Sequence, residues 1–287
     1  MKTVKRLLGI AVIVTVIGLV VTACDESHTC EFTGWEISTT ANCKDIAIQT
    51  GTCSCGETTT RNEPDGTIDA SNHDHSIVAG SGSLICRRTN CEHQYAIGDI
   101  GPAGGIIFYV ADGQNGRQTS ITVQASPDGT PADRAWTEYT AYYLEAAKTN
   151  EGVLFWDPSP SGTLINGVTT LTTGLETEAS LLGNGRKDTQ LIVNHLVTTD
   201  DVAAKLCANR TSGGTDWFLP SLGELNQLYL NKEAVSAAGG SFTSWFYWSS
   251  SQYDARFALK QRFDNGKQYY EFKNDIAYHF VHAVRAF

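Results

Sequence analysis

The stretch "TDWFLPSLGELNQLYLN", residues 215–231, decides how the second half of the chain is interpreted. Pro220 ends the apolar segment Trp217–Leu219, and Ser221 with Glu224 three residues later is the pattern of a helix-capping box. Leucines then recur every third residue on one face of the predicted helix. The sequence therefore predicts a short strand followed by a capped helix, which is scaffold and not the edge of an active site.

The segment before this stretch, residues 188–210, is predicted to be mostly helical. Cys207 lies on the apolar stripe of that segment, which indicates a buried structural thiol and not a nucleophile. The glycines at 98–105 lack the spacing of a dinucleotide loop and are interpreted as turn residues, and residues 183–189 lack the spacing of a phosphate loop.

Strand signals dominate the rest of this region, which favours an α+β fold. Ile106–Val110 is predicted to be a strand, and residues 134–147 a strand followed by a short helix. Residues 244–254 and 278–287 are each predicted to be one strand. Residues 255–273 are typical of a β-hairpin with Asn265-Gly266 as a two-residue type I′ turn.

The predicted hairpin concentrates positive charge. Residues 256–287 contain six bases and three acids in a chain that has 21 bases and 31 acids overall. Counting back from the turn places Lys260 opposite Glu271, Arg262 opposite Tyr269 and Lys267 opposite Asp264 on one face. These charges either form cross-strand ion pairs or bind an anionic glycan, with Tyr269 stacking on a sugar ring. The candidate ligand-binding residues are Arg256, Lys260, Arg262, Lys267 and Tyr269.

The N-terminus has the pattern of a lipoprotein signal peptide. Basic residues precede the apolar run Leu7–Val21, and small residues precede Cys24. The run is shorter than the ~20 residues of a membrane-spanning helix. We expect residues 1–23 to be removed and Cys24 to carry the lipid. The protein is then an exported bacterial lipoprotein of the cell envelope, and the sequence leaves open which membrane holds it.

Residues 24–93 are predicted to be a Cys-rich β module or spacer, and residues 94–287 a larger domain. An exported segment with few aliphatic residues needs covalent staples, so the disulfide candidates are Cys30, Cys43, Cys53, Cys55, Cys86 and Cys91. Their pairing stays open. Zinc held with His73, His75 and His93 is the less favoured alternative, and residues 73–75 are interpreted as a solvated loop. We therefore expect no metal and no other cofactor.

The excess of acids argues against a nucleic-acid partner.

The pattern of Trp35, Cys43, "GTCSCG" at 51–56 and Arg61 resembles, over about 35 residues, short bacterial surface repeats similar to thrombospondin type 1 modules.

A second resemblance covers residues 94–287. The segments "IGDIGPAGGIIFYV", "YYLEAA", "LCANRTSGGTDWFLPSLGELNQLY", "FYWSSSQY" and "VHAVRAF" occur in that order. They resemble the Lcl C-terminal domain of a collagen-like bacterial adhesin, in the formylglycine-generating-enzyme-like branch of the C-type lectin fold. The resemblance implies two helices and a twisted antiparallel sheet. Cys207 through Leu228 match the family's central motif, and Ala283–Phe287 match its terminal strand.

The resemblance argues against catalysis, so no catalytic residue is expected. The formylglycine-generating enzymes use a pair of reactive cysteines, whereas this domain has Cys207 alone, and the calcium-binding triplets of C-type lectins do not occur. We expect a non-enzymatic adhesion module that binds a glycan, by family analogy a sulfated polysaccharide, or a protein. A structural envelope lipoprotein or spacer is the alternative, and the oligomeric state stays open.

The lipoprotein prediction is tested by Cys24→Ser. Without the thiol no lipid is attached, so we expect a protein that is unprocessed or soluble and no longer partitions into detergent. A variant that is cleaved and still partitions like the wild type would contradict the prediction.

Overall fold

The computed structural model describes residues 31–41, 47–64, 73–125, 137–171, 182–196, 202–214 and 216–287. Cys24, Cys30, Cys43 and the predicted signal peptide lie outside these residues. The described chain forms two compact units, one within residues 31–64 and one from His73 onward. The division between these units falls before residue 73. None of the helices in the described residues is long and apolar enough to cross a membrane.

The N-terminal unit is a small antiparallel sheet of β1 (Thr33–Thr39), β2 (Ile48–Thr52) and β3 (Thr58–Asn62) in the order β1-β2-β3. Arg61 stacks on the Trp35 ring, with its guanidinium carbon 3.8 Å from the ring centroid. Gly51 lies under the same ring, and a Cβ there would come within 2.8 Å of it. The Trp35 ring is thus packed between the Arg61 guanidinium and Gly51, and this cation–π contact stabilises a unit with few apolar side chains.

The cysteines of the described residues differ in state. Cys55 is disulfide-bonded. Cys53, Cys86 and Cys91 are buried thiols. Within the described residues, the expected framework is thus represented by the disulfide of Cys55.

The C-terminal unit contains ten strands and four helices within the described residues. The strands are β4 (Ile106–Val110), β5 (Ile121–Val123), β6 (Tyr139–Ala141), β7 (Tyr143–Ala146), β8 (Gly152–Val153), β9 (Phe246–Gln252), β10 (Phe257–Arg262), β11 (Gln268–Phe272), β12 (His279–Val281) and β13 (Val284–Ala286). The helices are α1 (Gly185–His195), α2 (Ala203–Ala208), α3 (Leu222–Leu230) and α4 (Lys232–Ala237).

The strands form three open sheets. The largest has the order β11-β10-β9-β12-β8, the second β13-β7-β4, and the third pairs β5 with β6. Pairing is antiparallel except between β9 and β12, which run parallel. The α+β prediction is confirmed at this level, with a mainly β composition.

Three local predictions were wrong. Residues 143–146 are strand β7 and not a short helix, because they pair with both β4 and β13 and are fully buried. The terminal segment forms two strands that belong to different sheets, with His282 and Ala283 between them. The resemblance implied two helices, whereas the described residues form four.

The opening stretch is scaffold, as predicted. The Ser221 hydroxyl accepts the Glu224 N–H, and the Glu224 carboxylate accepts the Ser221 N–H at 2.7 Å, which completes the capping box of α3. The three leucines of its apolar face are fully buried. Phe218 forms an isolated bridge with Val284 where a short strand was expected. Cys207 is fully buried on α2, as predicted.

Glu224 also accepts the N–H of Gly183 at 2.8 Å, so one carboxylate joins the start of α3 to the turn before α1. Because the group is fully buried, desolvation raises the pKa of Glu224 to about 7 in spite of these hydrogen bonds. Burial likewise raises the pKa of Asp188 on α1 to about 6.

These raised pKa values predict a pH-dependent stability. A carboxyl group whose folded pKa lies above its unfolded value near 4.5 stabilises the fold below that value and loses this contribution as pH rises toward about 7. The free energy of unfolding, measured in urea from pH 4 to 8, should therefore fall with pH by up to about 1.4 kcal/mol per unit per proton. Glu224→Gln should flatten this fall.

Glu233→Gln is the matched control, because Glu233 is an exposed acid on α4. Its pH profile should run parallel to that of the wild type. A Glu224→Gln profile as steep as the wild-type profile would contradict the assignment.

Candidate ligand-binding surface

The predicted hairpin exists, and it lies at one edge of the five-stranded sheet. Strands β10 and β11 pair antiparallel with Lys260 opposite Tyr269 and Leu259 opposite Tyr270. The predicted register was wrong by two residues along the partner strand. A slip of one residue exchanges the faces of a strand, but a slip of two preserves them. The predicted face therefore remains correct although its cross-strand partners change.

The turn is longer than predicted, and it packs against Tyr229 of α3. Arg262 and Lys267 close it: the Arg262 N–H donates to the Lys267 carbonyl at 2.9 Å, and the Gly266 N–H donates to the Arg262 carbonyl at 2.8 Å. Gly266 has φ +74°, and a Cβ there would lie 2.3 Å from the Tyr229 ring on α3. The sequence rule that assigns Asn-Gly to a two-residue turn considers only local residues and does not account for the contact with Tyr229.

Lys260 does not belong to an accessible surface. Its residue exposure is 4%. Its ammonium lies 3.2 Å from the Glu271 carboxylate and 2.8 Å from Nε2 of His279, and 3.9 Å from the centroid of the Phe246 ring. Burial lowers the pKa of Lys260 and, helped by the Lys260 charge, lowers the pKa of His279 to about 4. Lys260 is therefore removed from the candidate ligand-binding residues, because the side chains of Glu271, His279 and Phe246 surround its ammonium.

The turn end of the sheet brings together three of the predicted residues. Arg262, Lys267 and Tyr269 lie there, with Lys267 and Tyr269 exposed. Arg262 pairs across to Phe246 of β9, and its guanidinium forms a 2.7 Å ion pair with Asp264. Tyr269 meets the Phe246 ring edge-on at 5.6 Å.

Two further aromatic residues at this end were missed by the sequence analysis. Trp245 precedes β9 and Tyr278 precedes β12, and the parallel pairing of these strands places their first residues side by side. The two rings stack with centroids 4.7 Å apart at 21°, and they are 44% and 60% exposed. The only sequence signal was the aromatic run at 245–248. We call Trp245, Phe246, Arg262, Lys267, Tyr269 and Tyr278 the aromatic–basic end.

Arg256 lies at the opposite end of the hairpin. Its guanidinium is 5.3 Å from the centroid of Phe272, close to the stacked rings of Tyr253 and Tyr270. The structure therefore separates Arg256 from the other predicted cations.

The aromatic–basic end has a mixed character that suits a hydrated, anionic ligand. Stacked exposed rings offer flat apolar area with little side-chain entropy to lose. Arg262 offers a planar fork to carboxylate or sulfate oxygens, and Lys267 offers a point charge.

Neither a known protein-family model nor a curated protein sequence matches this chain. Among solved structures it is similar to a fimbrial protein from Bacteroides ovatus ATCC 8483, with 12% sequence identity and a TM-score of 0.41. The alignment covers 85% of this chain and 57% of the fimbrial protein. The chain thus spans less than two thirds of the length of that protein.

The docking of the turn on α3 is tested by Gly266→Ala. The methyl group would be strained by the positive φ and would also collide with the Tyr229 ring. We expect the free energy of unfolding, measured in urea, to fall by more than the ~1 kcal/mol typical of backbone strain alone.

Gly104→Ala is the matched control, because Gly104 has the same φ of +74° and nothing within 4 Å of an added Cβ. It should show only the backbone strain. Equal losses in the two variants would show that the Tyr229 contact does not hold the turn.

Proposed function

We propose that this protein is a non-enzymatic, envelope-anchored binding module that holds an anionic glycan at its aromatic–basic end. The observation that carries the proposal is the exposed Trp245–Tyr278 stack at the same sheet end as Arg262, Lys267 and Tyr269. The rings would pack on the apolar faces of sugars, and the two cations would contact sulfate or carboxylate groups.

The buried groups of the domain support a binding role without chemistry. Burial raises the pKa of the Cys207 thiol well above its usual value, so the nucleophilic thiolate is disfavoured there. Glu224 and Glu145 are also fully buried and are engaged by backbone N–H groups. These groups stabilise the fold in place of acting on a substrate.

The resemblance of residues 94–287 to the Lcl C-terminal domain belongs to the same proposal. We propose membership of that family and its C-type-lectin-like fold on the motifs in series. The lipid on Cys24 would then display the domain at the envelope.

The test is retention of the full-length protein on immobilised heparin over a salt series, with uncharged dextran as the reference matrix. Lys267→Ala should elute at lower salt with a weaker salt dependence, because one screened charge contact is lost. Trp245→Ala combined with Tyr278→Ala should weaken binding by about 1–2 kcal/mol, the loss typical of removing an aromatic anchor from an interface.

Arg256→Ala is the matched control, since it removes one exposed cation of the same hairpin at the other end. It should elute like the wild type. Wild-type protein that is not retained at low salt, or a Lys267→Ala variant that elutes with the wild type, would contradict the proposal and favour the structural spacer.

A further inference from the structure

A second cluster of functional side chains lies in residues 73–93, which contribute nothing to the aromatic–basic end. One ligand atom from each of His73, Cys86 and Cys91 lies within 4.8 Å of the other two. Cys86 is 5% exposed and Cys91 is 9% exposed, and His73 is half-buried. The three residues come from two separate parts of this segment, so folding brings them together.

The spacing of these atoms fits a tetrahedral metal ion. Sγ of Cys91 lies 3.4 Å from Nδ1 of His73. With metal–sulfur bonds of ~2.3 Å and metal–nitrogen bonds of ~2.0 Å, the edges of a tetrahedron around Zn²⁺ are roughly 3.5–3.8 Å long. The observed sulfur–nitrogen distance of 3.4 Å is therefore close to the edge of such a tetrahedron.

The backbone holds the two cysteines in place. Four residues separate Cys86 from Cys91, within the spacing common in zinc sites. The intervening turn is closed by the Cys91 N–H, which donates to the Arg88 carbonyl at 3.0 Å, and Asn90 adopts φ +60°. The Asp74 N–H lies 3.3 Å from Sγ of Cys86, a contact that stabilises a thiolate.

Two more histidines orient the third ligand. Nδ1 of His75 lies 2.9 Å from the Ser83 carbonyl, which only accepts, so this nitrogen carries a proton. Nε2 of His75 lies 3.2 Å from Nδ1 of His93, and the His93 ring stacks on His73 with centroids 3.4 Å apart at 6°. This chain of contacts fixes the plane of the His73 ring, as hydrogen-bonded neighbours do around metal ligands.

We propose that His73, Cys86 and Cys91 bind a thiophilic metal ion, with Zn²⁺ as the ion that two thiolates and one imidazole suit best. The three protein ligands leave a fourth position. His73 also lines a cavity of about 300 Å³ beside His75, Pro102 and Phe287. The solvated-loop interpretation of residues 73–75 does not hold for His75, which is 3% exposed.

A Cys86–Cys91 disulfide is the competing arrangement, since the sequence favoured disulfides over a metal and left their pairing open. A disulfide requires no histidine, whereas this cluster places one imidazole nitrogen against a sulfur and orders two more rings behind it. The histidines therefore separate the two arrangements experimentally.

The test uses the full-length protein isolated without reductant or chelator. We expect about one zinc per chain by mass spectrometry of the metal, and no alkylation of Cys86 and Cys91 until a chelator is added. Replacement by Co²⁺ should give the visible absorption of tetrahedral cobalt with a sulfur-to-metal charge-transfer band. His73→Ala should lower zinc affinity at least tenfold, as expected on loss of one protein ligand.

His195→Ala and Cys207→Ser are the matched controls, because they remove an exposed histidine and a buried thiol of the same unit. Both should keep the wild-type metal content. A Cys86–Cys91 disulfide in the isolated protein, or a protein that binds neither Zn²⁺ nor Co²⁺ with its thiols reduced, would overturn the proposal, and so would a His73→Ala variant with unchanged affinity. None of these outcomes bears on glycan binding.

Discussion

A buried carboxylate that receives backbone N–H groups from two parts of the chain is the contact on which the helical half of the domain depends. Glu224 accepts the N–H of Ser221 at the start of α3 and that of Gly183 before α1. A Cβ at Gly185 would lie 2.1 Å from the same carboxylate. The acid therefore requires glycine where the chain passes it, and its hydrogen bonds offset only part of the cost of desolvation.

The same design recurs in the sheet half of the domain. Glu145 of β7 accepts the N–H groups of Ala103 and Gly105, and an added Cβ at Gly101 or Gly105 would collide with its side chain. Arg285 lies 3.6 Å from it and supplies the compensating charge. Both glycine-rich runs, which superficially resemble phosphate loops, thus pack their backbone against a carboxyl side chain of the same chain. The close approach of backbone to carboxylate explains their composition better than a turn requirement alone.

The sequence predicted what local rules determine and failed where distant contacts decide. The capping box needs only residues 221–224, and the burial of Cys207 needs only a helical stripe, so both were correct. The hairpin turn depends on Gly266 meeting Tyr229, and the fate of Lys260 depends on His279 of β12. The predicted face of Arg262 and Tyr269 was correct although the register was wrong by two residues, because side chains alternate with period two. The Trp245–Tyr278 stack requires the parallel pairing of β9 with β12, and no local sequence pattern predicts that pairing.

Several exposed aromatic residues lie on an edge strand of the largest sheet. Strand β11 ends the five-stranded sheet, so its outer N–H and C=O groups have no neighbouring strand of that sheet. Edge strands normally carry charge or remain short, because exposed apolar edges pair with other chains. Here Tyr269, Tyr270 and Phe272 are each at least 37% exposed on that strand. Lys267 before the strand and Glu271 within it provide charge that discourages self-pairing. An edge strand that carries exposed rings is therefore protected by its charges from pairing with a second copy of the chain.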